Sequence, residues 1–272
     1  MGEARSSRRQ GRSFLGTLLA LVLLLPACWT TTNSTPEVDP VALAAAIRDI
    51  GLDQLDQGNY AMAIRKLQEA QAMNSDDPLT YFGLGEAFRS KGLVAQAEAN
   101  LLRSLEISPD PHAPNYQRAV LTLAAVYIQQ ERYSEAEEQC QILIDDPTYS
   151  APWIALTNRG WAQYKSGRLQ AARESYREAL EFRSDDPLAH FNLGILSQDQ
   201  SRWLDAIRAF ERAVKAPGMP SNFLAEVHFR MGEIYMTLGE KAEALEHFGI
   251  ALEEAPEGQW GKKSRAYLEI LL

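Results

Sequence analysis

The chain has 272 residues, 46% apolar and 23% charged, with 17 Gly and 13 Pro; this excludes a disordered, collagen-like or low-complexity polymer and leaves room for a substantial buried core. Formal charge is −9, and because the first 27 residues hold four arginines against one glutamate, the remainder carries −12. A body that acidic excludes nucleic acid as its main partner, since phosphate backbones need a basic surface.

At the N-terminus, Arg5, Arg8, Arg9 and Arg12 precede an apolar run of 12 residues from Phe14 to Leu25. The run is too short to span a bilayer and has the build of a cleaved export signal. It ends in Leu25-Pro26-Ala27-Cys28, which resembles the bacterial lipobox: a branched apolar residue three before the cysteine, a small one just before it, and Pro26 where Ala, Ser, Thr or Val is usual. The resemblance implies a signal peptide over 1–27, then a diacylglycerol and an N-acyl chain on Cys28, giving a membrane-anchored protein without a transmembrane helix. By the same analogy Trp29, in place of Asp, points to the outer membrane, with the body in the periplasm. Arg8-Arg9 lacks the apolar pair that twin-arginine export requires. Cys140 is the only other cysteine, so acylation of Cys28 leaves no intramolecular disulfide and the fold must hold without one. Residues 28–43 are expected to form the lipidated cysteine and a flexible tether, because Trp29 to Pro40 shows no apolar periodicity.

From residue 44 onward the sequence repeats itself. Six units start near residues 44, 78, 117, 153, 187 and 225, at offsets of 34, 39, 36, 34 and 38. Position 8 of each unit is small: Gly51, Gly85, Ala124, Gly160, Gly194 and Gly232. Position 20 is Ala63, Ala97, Ala136, Ala172, Ala206 and Ala244, and position 24 is Leu67, Leu101, Cys140, Tyr176, Phe210 and Phe248. Pro78, Pro109, Pro147, Pro187, Pro217 and Pro256 are read as closing the units by stopping the second helix. A period of 34 with small residues at 8 and 20 resembles the tetratricopeptide repeat (TPR), in which they let two helices approach closely. The expected fold is all-α: a right-handed TPR solenoid of six helix-turn-helix repeats over 44–258, closed by a capping helix over 259–272 in which Tyr267, Leu268 and Leu271 face the last repeat. The insertions at 110–116 and 218–223 are expected to lengthen a loop or the first turn of the next helix.

A TPR array binds partners on its concave face, which the resemblance assigns to first-helix positions 5, 9 and 12. Leu52, Phe82, Leu121, Ile128, Trp161, Tyr164, Phe191, Ile195, Phe229 and Met236 occupy those rows. They predict an apolar, aromatic groove suited to an amphipathic or hydrophobic segment of a protein partner, with Met236 adding adaptability. The rival reading is that superhelical closure or the insertions cover these side chains. The rows lack the Lys and Asn with which chaperone-binding TPR clamps hold carboxylates. No His-Glu-x-x-His, Cys-x-x-Cys, Gly-x-Ser-x-Gly or phosphate-binding glycine loop occurs, so no enzymatic activity, metal, cofactor or small-molecule substrate is expected. His190 and His228 fall at position 4, an inter-helix packing site.

A lipobox, a short tether and six TPR units resemble the type IV pilus pilotins, the PilF/PilW/Tgl group of outer-membrane lipoproteins. The resemblance implies a protein that helps an outer-membrane secretin reach its membrane and assemble, with Cys28 as anchor. Two alternatives stay open: an NlpI-like periplasmic scaffold for peptidoglycan hydrolases and a protease, or an accessory of another envelope assembly or secretion machine.

Overall fold

The computed structural model describes residues 39–272; the signal peptide, Cys28 and most of the tether lie outside the described residues. Among these residues the chain forms thirteen α-helices and no strand. They pair as α1 (Pro40–Asp56) with α2 (Tyr60–Met73), α3 (Pro78–Ser90) with α4 (Val94–Ile107), and α5 (Pro114–Gln129) with α6 (Tyr133–Ile144). The series continues with α7 (Pro152–Lys165) and α8 (Leu169–Phe182), α9 (Pro187–Asp199) and α10 (Trp203–Ala213), then α11 (Ser221–Leu238) and α12 (Lys241–Glu254), before α13 (Gln259–Leu271). Residues 40–43 are helical, which shortens the expected tether. The two insertions each lengthen a helix: α5 begins at Pro114 and α11 at Ser221, ahead of the repeat starts at 117 and 225.

Asp-Pro pairs start three of the odd-numbered helices. The carboxylates of Asp39, Asp77 and Asp186 accept from the backbone N–H of Val41 (2.9 Å), Leu79 (3.3 Å) and Ala189 (2.8 Å), and the following proline sits where its missing N–H is no loss. Pro78 and Pro187 therefore open the next helix, a correction to their reading as terminators; Pro109, Pro147, Pro217 and Pro256 do lie just beyond the preceding helix. Asp77 also ties the first two repeats together, accepting from Arg48 Nη1 at 3.0 Å and Thr80 Oγ1 at 2.6 Å. Within each repeat one turn residue takes a left-handed conformation: Gly58, Gly92, Gly167 and Gly239 in four repeats, Glu131 (φ 61°) and Ser201 (φ 56°) in the third and fifth.

The core is built where position 8 meets position 24. A Cβ added at Gly51, Gly85, Gly160 or Gly232 would lie 2.7, 2.6, 2.5 and 2.7 Å from the side chains of Leu67, Leu101, Tyr176 and Phe248, and Gly194 abuts the Phe210 ring in the same way. Each bulky residue is buried over a glycine that has no side chain to displace it. The third repeat meets the same close approach in the opposite way, pairing the larger Ala124 with the small, fully buried Cys140. Burial pushes the Cys140 thiol up to about 12.

Neighbouring helices pack in chain order, and the odd-numbered ones also touch one another in a row from α1 to α9. The row weakens between α9 and α11, where Phe223 from the extra first turn of α11 fills the gap against Phe191 (ring centroids 5.1 Å), and resumes between α11 and α13. At the far end α13 covers the last repeat: Tyr267 stacks on Phe248 at 4.7 Å, and Trp260 lies 5.2 Å from Phe229.

Between α11 and α12 the rings of His228 and His247 stack, with their Nδ1 atoms 2.9 Å apart, and Tyr235 stacks on His247. Burial, and then the neighbouring His247, holds His228 at about 4; burial also lowers His247, against the opposing pull of Glu246, Glu211 and Glu243. Both histidines are thus neutral in the fold near pH 7. The unfolded chain takes up protons near 6.5, so it gains protons over the folded state as pH falls below that value. The contribution of the pair to stability is complete above about 6.5 and declines as pH falls, that of His228 until pH nears 4, where its folded form is protonated too. A His228→Gln/His247→Gln variant should show a shallower loss of thermal stability over this window; an unchanged slope in pH-dependent melts would show that the pair does not titrate as argued.

Candidate partner-binding groove

The ten residues expected in the groove separate into two groups. Phe82, Ile195 and Phe229 are buried, at 3%, 6% and 3% exposure, which corrects their placement on an open surface. Phe82 belongs to the core shared by the first three repeats and Ile195 to the core under α9 and α11. Phe229 lies under the capping helix against Phe248, Trp260 and Tyr267. The physical reason is that a solenoid turns gradually, so side chains at one repeat position meet different neighbours along the array, and an end repeat meets its cap. For these three the covered reading is the right one.

The other seven retain accessible surface. Leu52, Leu121, Ile128, Trp161, Tyr164 and Phe191 are half-buried, and Met236 is 37% exposed. Leu52 rests against Gly83 of the next odd-numbered helix, and Leu121 opens onto a cavity of about 210 Å³ lined also by Arg118 and Tyr149. Trp161 and Tyr164, one turn apart on α7, stack at 5.1 Å. The Tyr164 hydroxyl donates to Asp199 at the end of α9; burial and that carboxylate push it up to about 12. Phe191 packs against Phe210 and Phe223.

The apolar rows are interleaved with cations that the row positions do not contain. Arg118 lies 4.4 Å over the Phe82 ring, Lys165 lies 5.9 Å over Trp161, and Lys263 lies 4.3 Å over Trp260. Arg230 reaches 5.8 Å from Phe191 on one side and 5.6 Å from Trp260 on the other, held by Glu226 through bonds of 2.7 and 3.1 Å. Burial raises Glu233 in the same row, opposed by Arg230 and Lys263. This surface offers aromatic faces for apolar side chains together with N–H donors for carbonyl or acidic groups of a bound segment. Sequence reasoning missed Arg118, Lys165, Arg230 and Lys263 because it followed single positions along the array. Long cationic side chains reach past their own position, so a Lys or Arg adjacent to a row aromatic is the signal that would have found Lys165, beside Tyr164, and Arg230, beside Phe229; nothing local marks Arg118 or Lys263. Elsewhere, buried His190 donates from Nε2 to the Ser184 carbonyl at 2.9 Å and stays neutral through burial.

Comparison with known proteins agrees with this architecture. Tetratricopeptide repeat signatures match residues 48–114 and 225–257, and a TPR repeat signature matches residues 160–201. Among solved structures, PilW, described as a widely conserved type IV pilus biogenesis factor, is similar with a TM-score of 0.65 at 18% identity, over 81% of this chain and 97% of that one. Pseudomonas aeruginosa PilF is similar with a TM-score of 0.62 at 15% identity, over 84% and 99%. A tetratricopeptide repeat protein from Parabacteroides merdae gives 0.67 at 15% identity, over 84% of each chain. At these identities the likeness is one of fold. With the helix pairs, the glycine-against-bulk core and the matched signatures, it makes this chain an all-α protein of tetratricopeptide repeats.

Proposed function

We propose that this protein is a pilotin-type assembly factor, held at the outer membrane by lipid on Cys28, that captures a segment of a type IV pilus secretin in the groove around Trp161, Tyr164 and Phe191. The observation that supports this reading is the extent of the structural likeness: nearly the whole of PilW and of PilF, 97% and 99%, superposes on this chain. The lipobox-like ending at Cys28 adds the anchor that such a role needs. Confining the solenoid to one leaflet raises the local concentration of any subunit it holds, so a modest groove affinity suffices to deliver subunits for assembly.

The test is a mild-detergent pull-down of the full-length protein from envelopes, compared with a Trp161→Ser/Met236→Ser variant. Those two residues carry accessible surface, whereas replacing buried Phe82 or Phe229 would damage the fold and imitate a binding defect. A secretin recovered with the wild type and lost with the correctly folded variant is the expected result. Recovery of cell-wall hydrolases without a secretin would replace this reading by the periplasmic scaffold.

A further inference from the structure

Residues of α8, α9 and α10, none of them among the ten groove residues, line an open cleft of about 320 Å³. Five arginines line it, Arg173 and Arg177 from α8 and Arg202, Arg208 and Arg212 from the start and body of α10, over a floor that includes Leu193, His190 and Ser197. The sole acid in the lining is Asp205, which pairs with Arg202 and with Arg208, the latter at 3.2 Å. Among the described residues no carboxylate lies within ion-pairing reach of Arg173, Arg177 or Arg212. In a chain whose formal charge is −9, one cleft thus concentrates a formal charge of +4, five arginines less one aspartate.

Concentrating like charges has a cost that solvated surface arginines avoid. Burial, and then the nearby Arg202 and Arg177, depress the Arg173 guanidinium against the pull of Asp205, and its own hydrogen bond goes to the neutral side-chain carbonyl of Gln200, so an oxyanion placed there would relieve the repulsion among these cations. Guanidinium groups also match oxyanions by paired N–H donors in a plane, which makes arginine the residue suited to phosphate. The shape narrows the choice. Arg202 and Arg212 stand about 15 Å apart along α10, but Arg173, Arg177 and Arg202 lie near enough to act on one another, a cluster of planar donors that suits a compact oxyanion better than the spaced carboxylates of an extended acidic peptide.

We propose that the cleft between α8 and α10 binds a compact, multiply charged phosphate group, carried either by a free phosphate compound or by the headgroup of an anionic lipid. The site uses none of the groove residues and does not depend on the partner held there. A lipid source would orient the array on the membrane surface; a free source would make the cleft a ligand site in its own right.

The experiment is hydrogen exchange on the full chain, purified in nonionic detergent, over residues 169–213. One arm adds inorganic pyrophosphate at low ionic strength. A second arm presents bilayer discs of phosphatidylcholine with or without phosphatidic acid. Protection by pyrophosphate, weakened about tenfold or more in affinity by Arg173→Gln/Arg212→Gln and by added salt, is the expected result for a free source. Protection only by discs containing phosphatidic acid, lost in the same variant, assigns the lipid source. Protection by neither ligand, or protection undiminished in the variant while the fold is intact, overturns the proposal. An acidic poly-glutamate peptide that protects as well as pyrophosphate also overturns it, because the cleft would then read charge without reading phosphate.

Discussion

Gly194→Ala should lower the stability of the protein by about 2 kcal/mol, even though alanine is the better helix former by about 1 kcal/mol. A Cβ at residue 194 would overlap the ring of Phe210, which is fully buried and backed by Phe191 at a centroid distance of 5.8 Å. A rigid ring enclosed on both sides has no alternative rotamer to adopt, so the backbones of α9 and α10 must separate and neighbouring contacts loosen. The third repeat indicates how the sign can be reversed, since Ala124 is accommodated there by Cys140. Phe210→Cys alone leaves a cavity and should be destabilising by roughly 3 kcal/mol. In that background Gly194→Ala should become neutral or stabilising, by up to about 1 kcal/mol, because only the helix-propensity gain remains. Calorimetric melts of the four proteins of this double-mutant cycle read the result directly. A Gly194→Ala protein as stable as the wild type would refute the packing rule proposed for positions 8 and 24.

Ending the chain after Gly258, which removes α13, should destabilise the last repeat by roughly 5 kcal/mol and provoke association at micromolar concentration. Phe229 and Phe248, at 3% and 0% exposure, are covered on that side by Trp260, Tyr267, Leu268 and Leu271. A solenoid has no other means of satisfying an end face, since each repeat buries its apolar side only against the next. Tyr267→Ala should account for a large part of the loss, about 2 kcal/mol, because its ring stacks on Phe248 at 4.7 Å and meets Phe229 at 5.7 Å. Lys263→Ala, on an exposed residue of the same helix, should stay within about 0.5 kcal/mol. Melts combined with light scattering distinguish these variants. A truncated chain that stays monomeric and melts with the wild type would mean that α13 is an appendage rather than a cap.

The repeat architecture was legible because its signals are local and recur six times. Small residues at positions 8 and 20 of all six repeats, with bulk at 24 in five of them, state that two helices must approach closely, and no distant contact changes that requirement. Helix starts were legible only in part. The Asp-Pro pairs at 39–40, 77–78 and 186–187 carry the capping carboxylate and the N1 proline side by side, yet a proline following a helix is compatible with ending one or beginning the next. The spacing to the next turn decides which.

The groove was less legible because exposure belongs to the neighbours of a side chain and not to its position in a repeat. Phe191 and Phe229 occupy the same repeat position; one keeps accessible surface while the other is sealed by Trp260 and Tyr267 of the last helix. Arg230 joins Phe191 and Trp260 across helices separated by many residues, a relation no periodicity contains. The arginine cleft arises in the same way, from residues 173 and 177 on one helix and 202, 208 and 212 around another. The sequence by itself determined that this chain stacks helix pairs, because close approach and helix capping are set by residues near one another in the chain. Which aromatic faces stay open, which cations sit on them and where like charges are forced together was decided only by the tertiary structure, because burial and electrostatic potential are sums over neighbours that the superhelix brings together.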